Sequence, residues 1–529
     1  MTRGAELAMV LGLLSLGPLA NAQTTRPERT GYRETSSYTD VLSFLDSLQL
    51  KARDLRIATL ATSAEGRMVP FVVASRPLVT SPAEAHRTGK PVIYLQANIH
   101  AGEVEGKEAA QMLLRDLTVG ARRALLDRII LLVVPVYNAD GNERWGAGER
   151  NRPGQNGPEP VGQNVNGQGL NLNRDYVKME APETQGAASV LLAWDPDLFI
   201  DLHTTNGSYH GYVLTYAPGL NPNSNPAVDL VRDRFLPLVQ ERMQQRHEQR
   251  TFSYGNFRNQ NPGSLTQGWE TYDARPRFGT NWMGLRGRLA ILSEGYNNAD
   301  FRTRISATYN FVQEILQLAG EERALIKDAI VRSDRQRGDS VVVRSVLARP
   351  AVQEVVAEIT EDAGKGAGGY ARRRRTGVYR SIAMPVFDRF TSARKEARPA
   401  SYLIPPHLSE VVTLLRRQGI AIDRTTVPLR MPVEIFPVDS IQVDPVFEGH
   451  RSVRVEGRWS RAIDSTLSAG WFLARTDQPL GTLAAYLLEP ASEDGIVTWN
   501  LVDRELQVGA AYPVLRAARP VLARTVAVP

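Results

Sequence analysis

The segment VIYLQANIHAGE, residues 92–103, carries the pattern that decides the fold. Its first eight residues, Val92–Ile99, form an apolar run that predicts a buried β-strand. The amphipathic stretch Glu105–Leu117 predicts a helix, and ILLVVPV (Ile130–Val136) predicts a second buried strand. Strands that alternate with helices in this way indicate an α/β sheet covered by helices on both faces.

The same alternation continues along the chain from about residue 38 to residue 330. LFIDL (Leu198–Leu202) and LAILS (Leu289–Ser293) are two further predicted strands. Arg302–Leu318 is predicted to be a helix because its apolar residues recur on one face. We therefore predict one domain over residues 38–330, built on a mixed, mostly parallel sheet.

Beyond residue 335 the pattern changes to alternating β-branched residues, as in SVVVRSV and RSVRVEGRW. One stretch, Leu408–Gln418, interrupts these strands with helical spacing. This pattern predicts a second, mostly β accessory domain over residues 335–529. No chemistry can be assigned to it from its sequence.

The composition is that of a large folded protein. The 529 residues are 42% hydrophobic and 23% charged, which is enough apolar material for a sizeable core and for two to four domains. The chain has no cysteine, so a disulfide framework, a thiolate zinc site and a cysteine nucleophile are excluded. The net charge of +6 is a mild excess for this length, and we expect no nucleic-acid partner.

The first residues, MTRGAELAMVLGLLSLGPLANAQ, have the order of an export signal. Arg3 is basic, Leu7–Ala20 is apolar, and Ala20–Ala22 gives an A-x-A cleavage site. The apolar run is shorter than the roughly 20 residues that a membrane-spanning helix needs. We therefore expect a cleaved signal peptide at residues 1–22, a secreted or periplasmic protein, and no integral membrane segment after cleavage; an uncleaved anchor is the alternative.

Potential metal ligands lie at the ends of three predicted strands. His100 and Glu103 follow the first strand, His203 follows LFIDL, and Glu294 follows LAILS. In open α/β sheets, ligands bind outside the carboxyl ends of the strands. Imidazole and carboxylate groups suit zinc, although ligand type alone does not separate zinc from cobalt or manganese. The residues alone thus predict a metal site at this edge of the sheet.

The chain resembles the zinc carboxypeptidases of the carboxypeptidase A/B type. The resemblance covers about residues 80–320, and residues 335–529 resemble the C-terminal region of some large bacterial members. The motifs that carry it are H-A-G-E (His100 to Glu103), Y-N-A-D-G (Tyr137 to Gly141), L-N-R-D-Y (Leu172 to Tyr176), D-L-H-T-T (Asp201 to Thr205) and L-S-E-G (Leu292 to Gly295). The resemblance implies hydrolysis of the C-terminal peptide bond of peptides.

The resemblance also implies how the metal site works. His100, Glu103 and His203 would hold one zinc ion per chain, and Glu294 would be the general base for a zinc-activated water. Asp201 lies two residues before His203. It either orients that ligand or is an ordinary polar residue at a strand end.

The resemblance further implies how the substrate is bound. Asn173 and Arg174 would bind its terminal carboxylate, and Tyr272 would cover it. An arginine in the loop after residue 138 would polarise the scissile carbonyl group; Arg152 is our choice, and Arg150 is its rival. The preferred C-terminal side chain is not predicted.

Three other functions compete with this interpretation. The chain could be a carboxypeptidase for cell-wall murein peptides. It could also be a deacylase of N-acyl amino acids, of the aspartoacylase and succinylglutamate desuccinylase type, which uses a similar zinc site. The third is a non-catalytic binding module. It is disfavoured because such a module would be expected to have lost a metal ligand or Glu294, whereas this chain has all three ligands and Glu294.

Overall fold

The computed structural model describes residues 23–365 and 371–528. The predicted export signal at residues 1–22 lies outside these ranges. Within them, no helix combines the length and the apolar character that crossing a bilayer requires.

The first part of the chain folds around an eight-stranded sheet. Its order is β1-β2-β4-β3-β5-β10-β6-β7, and the four central strands β4, β3, β5 and β10 run parallel. The prediction of a mixed, mostly parallel sheet is confirmed. The strands up to residue 295 are β1 (Leu55–Thr62), β2 (Met68–Ala74), β3 (Val92–Ala97), β4 (Ile130–Val134), β5 (Leu198–Thr204), β6 (Leu214–Pro218), β7 (Thr251–Ser253), β8 (Asn256–Phe257), β9 (Trp269–Glu270) and β10 (Leu289–Gly295).

Helices cover both faces of this sheet, because the buried strands present apolar side chains alternately to each face. Val92 and Tyr94 of β3 belong to one core, and Ile93 and Leu95 belong to the other. The helices are α1 (Arg26–Thr30), α2 (Tyr38–Lys51), α3 (Pro82–Thr88), α4 (Glu105–Thr118), α5 (Ala139–Glu143), α6 (Gly148–Asn151), α7 (Pro182–Trp194), α8 (Pro226–Leu230), α9 (Leu236–His247), α10 (Gly279–Leu285), α11 (Phe301–Glu321) and α12 (Arg323–Arg335). Short 3₁₀ turns occur at Arg123–Asp127, Leu172–Arg174, Pro262–Gln267 and Asp503–Glu505, and a π-turn, Val231–Phe235, joins α8 to α9.

Strand β3 ends two residues earlier than the apolar run predicts. Asn98 adopts a left-handed conformation with φ of 62°. Its side-chain amide donates to the carbonyl oxygens of Ala101 at 3.3 Å and Glu103 at 3.2 Å. These bonds turn the chain out of the sheet just before His100, so the ligand lies in a loop rather than on the strand.

The C-terminal region is rich in strands. A five-stranded sheet has the order β22-β15-β21-β16-β23, and β18 with β19 forms a separate hairpin. The strands are β11 (Ser340–Leu347), β12 (Ala351–Lys365), β13 (Ala371–Phe387), β14 (Phe390–Ala397), β15 (Ser401–Ile404), β16 (Ile422–Thr425), β17 (Leu429–Val433), β18 (Val438–Phe447), β19 (His450–Gly457), β20 (Ile463–Leu467), β21 (Phe472–Arg475), β22 (Leu515–Ala517) and β23 (Thr525–Ala527).

Two helices accompany these strands. The predicted helix is α13 (Ser409–Arg417), and a second helix, α14 (Gly481–Leu488), was not predicted. Seven of the eight residues of α14 are buried, so its sequence GTLAAYLL shows no polar face and no helical periodicity.

The two predicted domains share structure, and the boundary near residue 335 stays a prediction. Strand β13 pairs with β9 of the first region in a sheet of order β12-β13-β9-β8. Gln418, at the end of α13, is fully buried and accepts from Trp282 Nε1 at 2.7 Å while donating to the carbonyl oxygen of Tyr176 at 2.9 Å. The C-terminal region is thus packed into the core beside the first.

Candidate metal centre and substrate site

The loop after β3 brings two predicted ligands together. The N–H of Glu103 donates to the carbonyl oxygen of His100 at 2.9 Å, which closes a tight turn. A Cβ added at Gly102 would lie 3.1 Å from the carbonyl oxygen of Gly162, so close packing favours glycine within the turn. The compact H-A-G-E turn therefore places both side chains at one point.

His203, near the end of β5, completes a three-residue cluster. Its Nδ1 lies 2.9 Å from Glu103 Oε2, and His100 Nδ1 lies 3.0 Å from Glu103 Oε1. One ligand atom from each residue lies within 4.8 Å of the other two. Two imidazoles and a buried carboxylate at this spacing fit a zinc ion and leave a coordination position for water.

The outer nitrogens of both histidines have partners. His100 Nε2 lies 3.0 Å from Asn171 Oδ1, and His203 Nε2 lies 3.0 Å from Asp201 Oδ2. Such contacts fix ring orientation and direct Nδ1 toward the metal position. Asp201 is fully buried, and within residues 23–365 and 371–528 neither of its oxygens has an aligned hydrogen bond. Its position is the one that an orienting role requires.

The cluster is electrostatically coupled. Burial lowers the pKa of His203, but the carboxylates of Asp201 and Glu103 more than offset this and raise it well above the usual value. Burial raises the pKa of Glu103, but Arg152 and His100 outweigh it and hold that pKa well below its usual value. Without a metal, His203 is therefore a cation held between two carboxylates.

Glu294 lies beside this cluster because β10 and β5 are neighbours. In the parallel pairing, Glu294 is the register partner of His203. Burial, together with the charges of Glu103 and Asp201, raises the pKa of Glu294 to about 8. Among the residues that the structure describes, none donates a hydrogen bond to its carboxylate. A buried carboxyl group without a fixed partner can accept and release a proton.

The structure separates the two candidate arginines. Arg152 is buried, its guanidinium lies 3.3 Å from Glu103 Oε1, and it donates to the carbonyl oxygen of Thr205 at 2.9 Å. Arg150 is exposed on the last turn of α6. Of the two, Arg152 alone lies next to the metal ligands.

Asn173 and Arg174 lie together in the 3₁₀ turn Leu172–Arg174. Asn173 Nδ2 is 3.3 Å from His203 Nε2, so the turn adjoins the metal cluster. The guanidinium of Arg174 lies 4.0 Å from the centre of the Phe278 ring and donates to the carbonyl oxygen of Asn173 at 2.8 Å. Within the described ranges, no carboxylate forms an ion pair with it. A half-buried arginine without a counter-ion is suited to binding an anionic ligand.

Two tyrosines lie near Glu294. Tyr272 packs edge-on against Tyr254 and Phe278, with ring centres 5.7 Å and 5.3 Å apart. Burial is the main cause of the raised pKa of each tyrosine, and the charge of Glu294 contributes to both. Tyr272 thus packs on Phe278, the ring against which the guanidinium of Arg174 lies. Tyr254 was not predicted, since no motif marks it.

Two further buried polar residues, Arg277 and His210, have structural contacts. The buried guanidinium of Arg277 lies 2.7 Å from Asp494. His210 is buried, and its ring centre is 4.2 Å from that of Tyr296. Burial lowers the pKa of His210 to about 3, so this imidazole is neutral.

The comparison with known families agrees with this geometry. A family model described as zinc carboxypeptidase matches residues 41–278. Residues 41–278 belong to the zinc carboxypeptidase family. The zinc carboxypeptidase match contains all three residues of the metal cluster and ends before Glu294, whose placement rests on the strand register. Together, the family match and the cluster identify the chain as a zinc-dependent metallocarboxypeptidase, a hydrolase with peptide substrates.

The similarity to known proteins extends beyond residues 41–278. Carboxypeptidase 2 of Trichophyton equinum is 24% identical over 480 residues, covering 86% of this chain and 81% of its own. Carboxypeptidase 2 of Trichophyton rubrum is 24% identical over 484 residues, with the same shares. Among solved structures, a metallo-carboxypeptidase from Burkholderia cenocepacia has a TM-score of 0.39 at 17% identity and covers 54% of this chain and 69% of its own. Carboxypeptidase A from Helicoverpa armigera has a TM-score of 0.41 at 14% identity and covers 55% of this chain and 74% of its own.

Proposed function

We propose that this enzyme removes the C-terminal residue from peptides that end in a free carboxylate, using one zinc ion held by His100, Glu103 and His203. The observation that carries the proposal is the guanidinium of Arg174, which forms no ion pair with a described carboxylate and lies in the turn whose Asn173 contacts His203. A terminal carboxylate at Arg174 would leave the last peptide bond close to both the cluster and Glu294.

The chain's own residues divide the work of hydrolysis. Zinc, when bound, would lower the pKa of a water molecule and draw charge from the scissile carbonyl group. Glu294 would accept a proton from the attacking water and deliver it to the departing amine nitrogen. Its pKa is raised to about 8 in the metal-free site, and the charge of bound zinc would lower it toward neutrality, where the carboxylate can accept a proton. Arg152 would stabilise the negative charge that develops on the carbonyl oxygen.

Substrate alignment would come from the opposite side of the site. Arg174 would bind the terminal carboxylate through its planar guanidinium, and Asn173 would add an amide donor. Tyr272 would close over the bound residue. Because Arg174 forms no ion pair within residues 23–365 and 371–528, binding would not require such a pair to break.

Matched peptides with free and amidated C-termini test this function. We expect the free-acid peptides to lose one residue at a time and the amidated peptides to be cut at least 100-fold more slowly. Arg174→Ala should remove most of that difference, whereas Arg150→Ala, an exposed arginine, should preserve it. Equal cleavage of both peptides, or cuts within the chain, would contradict the proposal. Preferential cleavage of N-acyl amino acids would favour a deacylase, and preference for peptides ending in a D-residue would favour a cell-wall substrate.

We also propose that the protein acts outside the cytoplasm. The support is the export-type sequence of residues 1–22. Expression of the full chain, followed by fractionation and N-terminal sequencing, tests it. A mature protein that begins at Gln23 outside the cytoplasm is expected, and an unprocessed chain in the cytoplasm would contradict the proposal.

A further inference from the structure

The hairpin of β18 and β19 reaches from the C-terminal region to the substrate site. Its turn consists of Glu448 and Gly449, with φ of 49° and 81°. Positive φ at both positions is typical of a tight two-residue hairpin turn. Such a turn projects the Glu448 side chain from the end of the hairpin.

Glu448 contacts the loop that carries the carboxylate-binding residues. Its Oε2 accepts the backbone N–H of Asn171 at 3.0 Å. Asn171 Oδ1 accepts from the N–H of Asn173 at 3.0 Å and lies 3.0 Å from His100 Nε2. One hydrogen bond from the C-terminal region therefore restrains a loop that contacts a metal ligand and carries Arg174.

The hairpin tip is itself fixed in place. His450 Nε2 lies 2.7 Å from Glu180 Oε1, and its Nδ1 lies 3.0 Å from Asn500 Oδ1. On the other side of the turn, Phe447 packs against the guanidinium of Arg277, whose Cζ is 5.2 Å from the ring centre. Contacts on both flanks hold Glu448 against the loop.

Charge links Glu448 to the same site. Burial lowers the pKa of Arg174, and among the carboxylates that oppose this shift Glu448 has the largest effect. Glu448 is thus near the guanidinium without forming an ion pair with it.

We infer that Glu448 is a positioning residue of the substrate site and that the tip of the β18–β19 hairpin is part of that site's wall. The inference rests on the proposed function, because it assigns Arg174 to the terminal carboxylate. Glu448 holds the 171–174 loop in the geometry in which Arg174 meets that carboxylate. The C-terminal region thereby contributes to substrate binding.

Two substitutions separate the hydrogen bond from the charge. Glu448→Ala removes the acceptor, and we expect KM for a free-acid peptide to rise about tenfold while kcat changes less than twofold. Glu448→Gln keeps an acceptor oxygen, so KM should stay within twofold of the unaltered enzyme. Asp444→Ala, in the same hairpin but paired with Arg454, is the matched control and should leave KM unchanged.

Amide hydrogen exchange of the full-length enzyme provides a readout that needs no substrate. In Glu448→Ala, the segment around residues 171–174 should exchange at least tenfold faster, with little change in the central strands. A zinc titration of the metal-free variants should show weaker binding for Glu448→Ala than for Glu448→Gln, because Asn171 contacts His100. Unchanged exchange and unchanged KM in Glu448→Ala would overturn the inference, as would a Glu448→Gln enzyme as impaired as Glu448→Ala. If exchange rises but free and amidated peptides are cut equally, the proposed function fails while the positioning of the loop by Glu448 stands.

Discussion

Glu294 and His203 are register partners on the neighbouring parallel strands β10 and β5. Strands of a sheet lie roughly 4.8 Å apart, so this pairing fixes the spacing between the proposed base and a metal ligand through the backbone. Because the register aligns the ends of two rigid strands, loop movement does not alter that spacing.

Replacing Glu294 by glutamine tests the proton transfer. The amide keeps the shape of the side chain but cannot accept the proton, so kcat should fall by at least about 1000-fold, equivalent to about 4 kcal/mol of barrier. Metal analysis should show unchanged zinc content. Glu241→Gln, on the exposed surface of α9, is the control and should retain full activity. An active Glu294→Gln enzyme would mean that another group moves the proton.

The two arginines of the loop after residue 138 should differ sharply when mutated. Arg152→Ala removes a cation next to Glu103, and we expect kcat to drop by about 100- to 1000-fold, the usual effect of losing an oxyanion donor. Arg150→Ala should behave like the unaltered enzyme because its side chain is exposed. Steady-state kinetics on one free-acid peptide measures kcat for both variants. A larger loss of kcat in Arg150→Ala than in Arg152→Ala would assign the stabilisation of the carbonyl oxygen to Arg150.

Zinc binding should release protons. In the metal-free site the pKa of His203 is raised well above its usual value and that of Glu294 to about 8, so both groups carry protons at pH 7. The metal requires a neutral imidazole, and its charge favours ionised Glu294. Zinc affinity should therefore fall as the pH decreases below the raised pKa of His203. Calorimetry at pH 7 in two buffers with different protonation enthalpies measures the release, which should be smaller in Glu294→Gln. No buffer dependence would contradict the assignment.

Asp201→Asn tests whether that buried carboxylate orients His203. The substitution preserves size but removes the charge 3.0 Å from His203 Nε2, so zinc should bind about 10- to 100-fold more weakly at pH 8. It should also lower the pKa of His203 and thus reduce proton release at pH 7. Competition with a chelator gives the affinity. Asp328→Asn, in an exposed pair with Arg332, is the control. Unchanged affinity would show that Asp201 is an ordinary polar residue.

Local patterns in the sequence were sufficient for the four central strands of the sheet and for the three residues of the metal cluster. The apolar run before His100 and the one containing Ile291 are buried strands, and strands covered on both faces of a sheet read as nearly continuous apolar runs in the sequence. The helix predicted at Arg302–Leu318 is present as Phe301–Glu321. The H-A-G-E motif brings two ligands together within a single turn. Because both ligands lie within four consecutive residues, the motif can be recognised from the sequence alone.

Contacts between distant segments could not be predicted in this way. Glu448 and Asn171 are 277 positions apart, and no periodicity links them. Arg150 and Arg152 have the same chemistry, and only the fold exposes one and buries the other. Asn171 stands one residue before the L-N-R-D-Y motif, so a search of the residues flanking that motif could have included it.

The pairing of β13 with β9 has a consequence for the order of events during synthesis. Until residues 386 and 387 have been made, the two-residue strand β8 is the one neighbour of β9 among the described strands. Gln418, which joins Trp282 to the backbone of Tyr176, is made later still. A nascent chain that already contains all the proposed metal ligands and Glu294 therefore still lacks these supports until residue 418 has been made.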